Sequence, residues 1–401
     1  MSEAIVITGM GAVSCLGPDL EAFWDGLVSS RSGIGPIRKF DAAGLRNPEG
    51  GEVHDWSTEG LPGWVTALDE AAGFALSAAG QAARQAKLRG DSATGVLLAT
   101  NFGGARTFEG WAAELAGETL ATGDAGAFAA TLPPIATNAV AAMLGAAGPR
   151  ATLSLSCSSG AAAIGMAADW IRMGKARRMI AGGFDALSLY SLAGLSCLRT
   201  VTTGKLQSFD KNRSGTVFGE GAGILVLESL SSARERGVEP LAQVGGWAIN
   251  NNAHHLTAPD STGHAVLEVM RGACLEARID PSAIDYVNAH GTGTRYNDPV
   301  ETAALHSLLG ERAFDIPVSS IKPAISHTMG AAGALEAIAC AMAIRTGIVP
   351  PTLNWSERDP ECDLDYVPNE ARSHTVSCAI SLSSGIGGNN AAIVLEKFAG
   401  A

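Results

Sequence analysis

The chain has 401 residues, 46% of them apolar and 17% charged, and carries a net charge of −12. That length supports two core-forming units or one large intimate fold, and the acidic balance without a basic stripe excludes nucleic acid as a partner. Seven scattered cysteines, none within CxxC spacing of another, exclude the common zinc and dithiol motifs and suit a reducing, cytoplasmic compartment.

The first predicted element is a strand over residues 4–8, with no basic, apolar leader before it. A polar excursion over 47–58 precedes a helix over 69–87 and a strand over 95–99. The apolar run 151–156 then ends at Cys157 and turns into the small-residue helix 161–173. Strands follow over 178–181 and 223–227, then a polar excursion over 250–263 and a helix over 264–277. The pattern continues as strand 284–288, helix 299–309, strand 317–321, helix 330–345 and strands 376–382 and 391–395. Such alternation predicts a layered α/β protein. The 330–345 helix is apolar but interrupted by Glu336, so it reads as a core helix and no membrane span is expected.

Four positions stand out chemically, all at predicted strand ends. Cys157 begins a helix whose free N–H groups and dipole favour a thiolate, as a nucleophile requires. His290 opens His290-Gly291-Thr292-Gly293-Thr294 after a strand, a cleft position. Lys322 and His327 share another strand-turn-helix junction, and Ser384-Gly385-Ile386-Gly387-Gly388 turns between two strands with backbone N–H groups free to face a ligand. There is also an internal echo: Cys157-x-x-Gly160-Ala161-Ala162 and His327-x-x-Gly330-Ala331-Ala332 each lead into an alanine-rich helix. As a true repeat it places Cys157 and His327 at equivalent helix starts in two facing halves. Gly9-Met10-Gly11 lacks the third glycine of a dinucleotide fingerprint, so no cofactor is expected, and no metal. Asp298-Pro299-Val300-Glu301 has the chemistry of a helix start, with Asp298 as cap.

These residues, with Ile7-Thr8-Gly9-Met10-Gly11, Cys157-Ser158-Ser159-Gly160, Phe209-Asp210-Lys211-Asn212-Arg213, Gly219-Glu220-Gly221 and His327-Thr328-Met329-Gly330, make the chain resemble the elongating β-ketoacyl-acyl carrier protein synthases of the type II class. The resemblance runs nearly end to end. It implies a thiolase-like fold of five αβαβα layers made of two similar halves, residues 1–245 and 246–401. It further implies that Cys157 accepts an acyl chain from an acyl carrier protein and that His290 and His327 support malonyl decarboxylation. By the same resemblance Lys322 is a supporting charge paired with Glu301, Asp298 supports the site, Thr292 and Thr294 flank the pantetheine arm, and backbone N–H groups of Cys157 and Ile386 form an oxyanion hole. A homodimer is the default, a heterodimer with a related ketosynthase-like subunit the variant.

The chain also departs from those relatives. Ile386 replaces a gating phenylalanine, and Ser384 and Leu382 replace a phenylalanine and an asparagine. Phe102 is expected to line the far end of the acyl pocket, predicting a short or unusually shaped chain. Residues 61–69 lack docking cations and Gln207 replaces an arginine, so docking must differ: Lys175, Arg177 and Arg178 offer one basic cluster, a partner subunit's basic surface is another route, and the plainer reading of the cluster is a solvated helix end. Two other functions compete: a chain-length-factor-like partner subunit, against which Cys157 argues, and Cys-dependent acyl transfer to an amine or alcohol, which needs no histidine pair.

Overall fold

A computed structural model describes residues 3–116 and 125–398. Ten strands join in one sheet: β1 (Ile5–Val13), β2 (Thr94–Ala99), β3 (Arg150–Leu153), β4 (Arg178–Asp185), β5 (Gly221–Ser229), β6 (Ala242–Asn251), β7 (Tyr286–Asn288), β8 (Val318–Ser319), β9 (Cys378–Ser384) and β10 (Asn389–Glu396). Their spatial order is β8-β7-β9-β10-β6-β1-β5-β4-β2-β3. Each set of five therefore follows one scheme, third-second-fourth-fifth-first, and the two sets meet where β1 runs antiparallel to β6, Ile5 opposite Val244.

Most of these strands are apolar on both faces, β1, β4 and β5 being buried throughout, so each half-sheet requires cover on both sides. Helices α1 (Glu70–Gln85) and α2 (Pro134–Leu144) cover the outer face of the first half, and α4 (His264–Ala277), backed by α5 (Asn297–Leu309), covers that of the second. Between the half-sheets lie α3 (Ser159–Arg172) and α6 (Ala332–Thr346), which touch strands of both halves and each other. Five layers result, as expected from the resemblance. Each central helix follows the third strand of its half, so the Cys157 and His327 segments occupy equivalent places.

Small residues set the spacing of these two helices. A Cβ on Gly160 would lie 2.8 Å from the backbone nitrogen of Ala334, and one on Gly333 would lie 2.7 Å from that of Ala161. Alanine at either place would push the helices apart. The Met329–Thr346 stretch is long and apolar enough to cross a membrane, but 83% of it is buried in this central layer, in keeping with a core helix.

Candidate active site

Cys157 sits in the bend between β3 and α3. Ser156 takes a left-handed backbone (φ 53°) that aims the following residue out of the strand line. The bend is laced by its serines: Ser158 Oγ donates to the Leu155 carbonyl at 2.7 Å, and the Leu155 N–H donates to Ser159 Oγ at 2.7 Å. The glycine turn at the end of β9 closes over it. The Ile386 N–H lies near enough to the Cys157 sulfur to favour its anion, and a side chain at Gly385 would meet Ser156 Cβ at 2.9 Å and the Cys157 nitrogen at 3.0 Å.

The second half brings two imidazoles. His327 is gripped by the first half, its N–H donating to the Val217 carbonyl (2.7 Å) and its carbonyl accepting from the Gly219 N–H (3.0 Å). Its neighbours Ser326 and Met329 have φ values of 67° and 55°, so the loop is strained on both sides. Its Nδ1 accepts the Met329 N–H at 3.3 Å, and Phe218 stacks on the ring at 5.4 Å. The His290 ring stands edge-on to it at 5.3 Å between centroids. Lys322 Nζ lies 3.2 Å from His290 Nδ1. With both Nδ1 atoms accepting, each ring carries its proton on Nε2. The sulfur and one nitrogen from each ring all lie within 4.8 Å of one another.

Burial governs the charges here. It drives both imidazoles well below 6.5, with Lys322 adding to the effect, so both are neutral near pH 7. It also pushes the Cys157 thiol up to about 11, although Lys322 and the Ile386 N–H act against it. The thiolate expected from the helix start is therefore not the resting form: desolvation outweighs the helix dipole in the closed cavity. A Cys-His-His set could also ligate a soft divalent ion. The Lys322 ammonium against His290 works against a cation there.

The sequence-based assignments fare unequally. Cys157, His290, His327, Thr292, Thr294 and Ile386 all line one cavity. Lys322 is fully buried beside it, but its partner is Glu336, with which it forms a salt bridge, and not Glu301. Glu301 instead accepts the N–H groups of His290 (2.6 Å) and Gly291 (2.7 Å), so its role is to hold the His290 loop. Asp298 is not a cap either: α5 starts at Asn297, and the carboxylate accepts the N–H groups of Phe209 (2.7 Å) and Gly293 (3.2 Å). Phe102 is absent from the cavity wall; it packs with the cluster of Leu187, Leu192 and Met329, because the Asp185 carboxylate holds its N–H at 2.9 Å. In the candidate docking cluster Arg178 pairs with Asp91, Arg177 pairs with Glu235 at the exposed surface, and Lys175 lies over the Trp170 ring.

Two carboxylates escaped the sequence reading. Glu336 also accepts from Ser383 at 3.2 Å, and its only signal was a lone acid in an apolar helix. Asp185 binds the N–H groups of Asn101, Phe102 and Gly330, joining the two halves, and burial lifts it to about 6. Glu336→Ala, which leaves Lys322 buried without its counter-ion, is expected to lower stability by about 3–5 kcal/mol, read from the denaturation midpoint. Glu336→Gln, which keeps the volume, should cost less.

The family described as "Beta-ketoacyl synthase, N-terminal domain" matches residues 2–233, and "Beta-ketoacyl synthase, C-terminal domain" matches 241–356. The chain is 39% identical to the tetracenomycin polyketide synthase ketoacyl synthase alpha subunit of Streptomyces glaucescens, over 98% of this chain and 97% of that one. It is 37% identical to the 3-oxoacyl-[acyl-carrier-protein] synthase 2 of Synechocystis sp., over 99% and 98%. The solved structure titled "The ishigamide ketosynthase/chain length factor" superposes with a TM-score of 0.94 at 33% identity, covering all of both chains. With its motifs, its layered fold and its full-length relatives in agreement, the chain belongs to the β-ketoacyl synthase family.

Proposed function

We propose that the protein joins an acyl group held on Cys157 to a malonyl unit on an acyl carrier protein, with loss of carbon dioxide, in fatty-acid-like or polyketide assembly. The observation that carries this reading is the meeting of Cys157, His290 and His327 within 4.8 Å in one buried cavity.

In the loading step the sulfur attacks the thioester carbonyl of an acyl-pantetheine. The carbon–sulfur bond to pantetheine breaks, and the thiol proton of Cys157 leaves with the pantetheine sulfur. Malonyl thioester then enters. Nε2–H groups of His290 and His327 donate to its thioester oxygen while the bond to the carboxylate breaks, so the electron pair is held as an enolate. Neutral donors suit this step because they hold the oxyanion without protonating the carbanion. The enolate carbon attacks the acyl-Cys157 carbonyl, and N–H groups of Cys157 and Ile386 receive the oxyanion, each worth about 3 kcal/mol in the barrier. Collapse expels Cys157 as a thiolate, which takes a proton from water to restore the thiol, and leaves a β-ketoacyl group on the carrier. The electrons balance without a cofactor.

Thr292 and Thr294, with Asn297 beside them on the wall, are assigned to the pantetheine arm. Lys322, held by Glu336, positions His290; Glu301 and Asp298 fix the loop between them. The complete Cys-His-His set disfavours a chain-length-factor-like role, and two neutral donors have no task in simple acyl transfer to an amine or alcohol. The halves read as 1–245 and 246–401 are retained with one adjustment: β6 opens the second repeat of the strand order, so the joint is better placed before Ala242. Dimerisation is assigned to β3, a partly exposed strand at the end of the sheet, through which either a second copy or a related subunit can pair. A cytoplasmic setting is part of the same reading and suits seven free cysteines.

The test is to incubate the protein with a panel of acyl-carrier thioesters and weigh it, then add malonyl-carrier protein and follow carbon dioxide. A Cys157 adduct that disappears as β-ketoacyl-carrier forms is the expected result. Loading by coenzyme A esters alone would remove the carrier protein from the reading.

A further inference from the structure

Glu220, the acid of the Gly219-Glu220-Gly221 motif, has no part in the chemistry above, yet it is wholly buried and forms a salt bridge with Lys39. It stands just before β5, at the end of the segment that grips His327. Its two carboxylate oxygens accept the N–H groups of Val53 and Leu187, each at 2.8 Å. Lys39 also reaches Glu70 at 2.8 Å, with its ammonium 5.1 Å from the centre of the Phe74 ring. Burial pushes the Glu220 carboxyl up and Lys39 acts against burial, so Lys39 helps to keep it an anion.

The strip 217–220 lies between two other segments. On one side the Phe218 carbonyl accepts the Gly51 N–H at 3.1 Å, and the Glu220 N–H donates to the Gly51 carbonyl at 3.0 Å. On the other side Val217 and Gly219 hold the N–H and the carbonyl of His327. No side chain separates the three: a Cβ on Gly219 would lie 2.9 Å from Gly51 Cα and closer still to Ser326 Oγ. Leu187, whose N–H Glu220 holds, packs with Phe218, Met329 and Ile37 in one apolar cluster.

A buried ion pair is poor evidence for stability, since an apolar pair of similar volume is often as good. What it does fix is geometry: two N–H groups and a cation, from three places in the chain, converge on one carboxylate. The strip so fixed carries both backbone bonds of His327 and the ring that stacks on it.

We propose that Glu220, paired with Lys39, is a positioning residue for His327: it locks the strip 217–219 so that the imidazole stays stacked on Phe218 and screened from water. This rests on the reading of His327 as a donor in decarboxylation, and it assigns the pair to that step and not to the loading of Cys157.

The experiment measures, on each variant, the rate of carbon dioxide release from malonyl-carrier protein and the rate of acyl transfer to Cys157, and compares their ratio. In Glu220→Ala the ratio is expected to fall about 10- to 100-fold, the effect of a small misplacement of a reacting group. Lys39→Met, which keeps the volume and removes the charge, should lower it in the same direction, and Lys39→Arg should restore it; these two keep the inference testable should Glu220→Ala fold poorly. Decarboxylation by Glu220→Ala should also fall in acid with a midpoint near the ordinary imidazole value of about 6.5, because water reaches His327. Lys322, His290 and Cys157 face the ring in both proteins, so they do not account for the change. An unchanged ratio and pH profile in Glu220→Ala and Lys39→Met overturn the inference, as does an equal loss of both steps. Undiminished carbon dioxide release by His327→Ala instead removes the reading of His327, and this proposal with it.

Discussion

Replacing Cys157 by alanine is expected to abolish covalent acyl loading, leaving no mass increase at this position with any carrier thioester. The substitution removes the cysteine sulfur that lies against His290 and His327, near the Ile386 N–H. The other cysteines are poor substitutes: Cys274, Cys362 and Cys378 are buried, with thiols pushed up to between about 11 and about 12, and Cys197 is exposed and does not line the cavity. Peptide mapping of the loaded protein separates adventitious acylation at Cys197 from the reaction at Cys157. Malonyl decarboxylation should continue in the variant, because both imidazoles remain. Undiminished loading of Cys157→Ala would overturn the assignment of the nucleophile.

His327→Ala is expected to do the converse. Loading at Cys157 continues, and carbon dioxide release falls about 10²- to 10³-fold, the usual effect of deleting one donor to a developing oxyanion. The ratio of the two steps is the informative quantity, since a merely damaged fold would lower both. The pH dependence follows from the same ring. Both histidines titrate below their ordinary 6.5 in the folded protein, so the unfolded chain takes up protons first as the pH falls. Their contribution to stability is present above about pH 6.5 and is lost as acid is added below it. Decarboxylation by the native enzyme should accordingly hold level from pH 8 to about 6.5. A fall centred on 6.5 would mean that a charged, solvated imidazole does the work.

Much of this site is legible in the amino-acid sequence, because strand-turn-helix junctions betray themselves locally. The apolar run into Cys157, the strand before His290 and the glycine turn around Ile386 each show a change of hydrophobic period within a few residues. What failed was long-range. Lys322 was paired with Glu301, yet the topology brings it to Glu336, a residue in the next helix that sequence marks only as an oddity among alanines. Asp298 carries the signature of a cap, and tertiary contacts to Phe209 and Gly293 override it. Phe102 follows a predicted strand at a plausible depth, but Asp185, 83 positions away, decides where its backbone goes. Strand β6 is hidden in the sequence because Gly245 and Gly246 fill two places of its alternating burial and its end is polar, although it joins the two half-sheets.

The interlocked glycines of α3 and α6 carry one more implication. Two helices seated backbone to backbone behave as a rivet, so the halves have no freedom to part like a clamshell around a bulky guest. Room for longer or branched chains must be found at the periphery, in the Asn252–Pro259 segment and the turn around Ile386, both of which border the cavity. Engineering a broader substrate range should begin with those rims and leave the axle untouched.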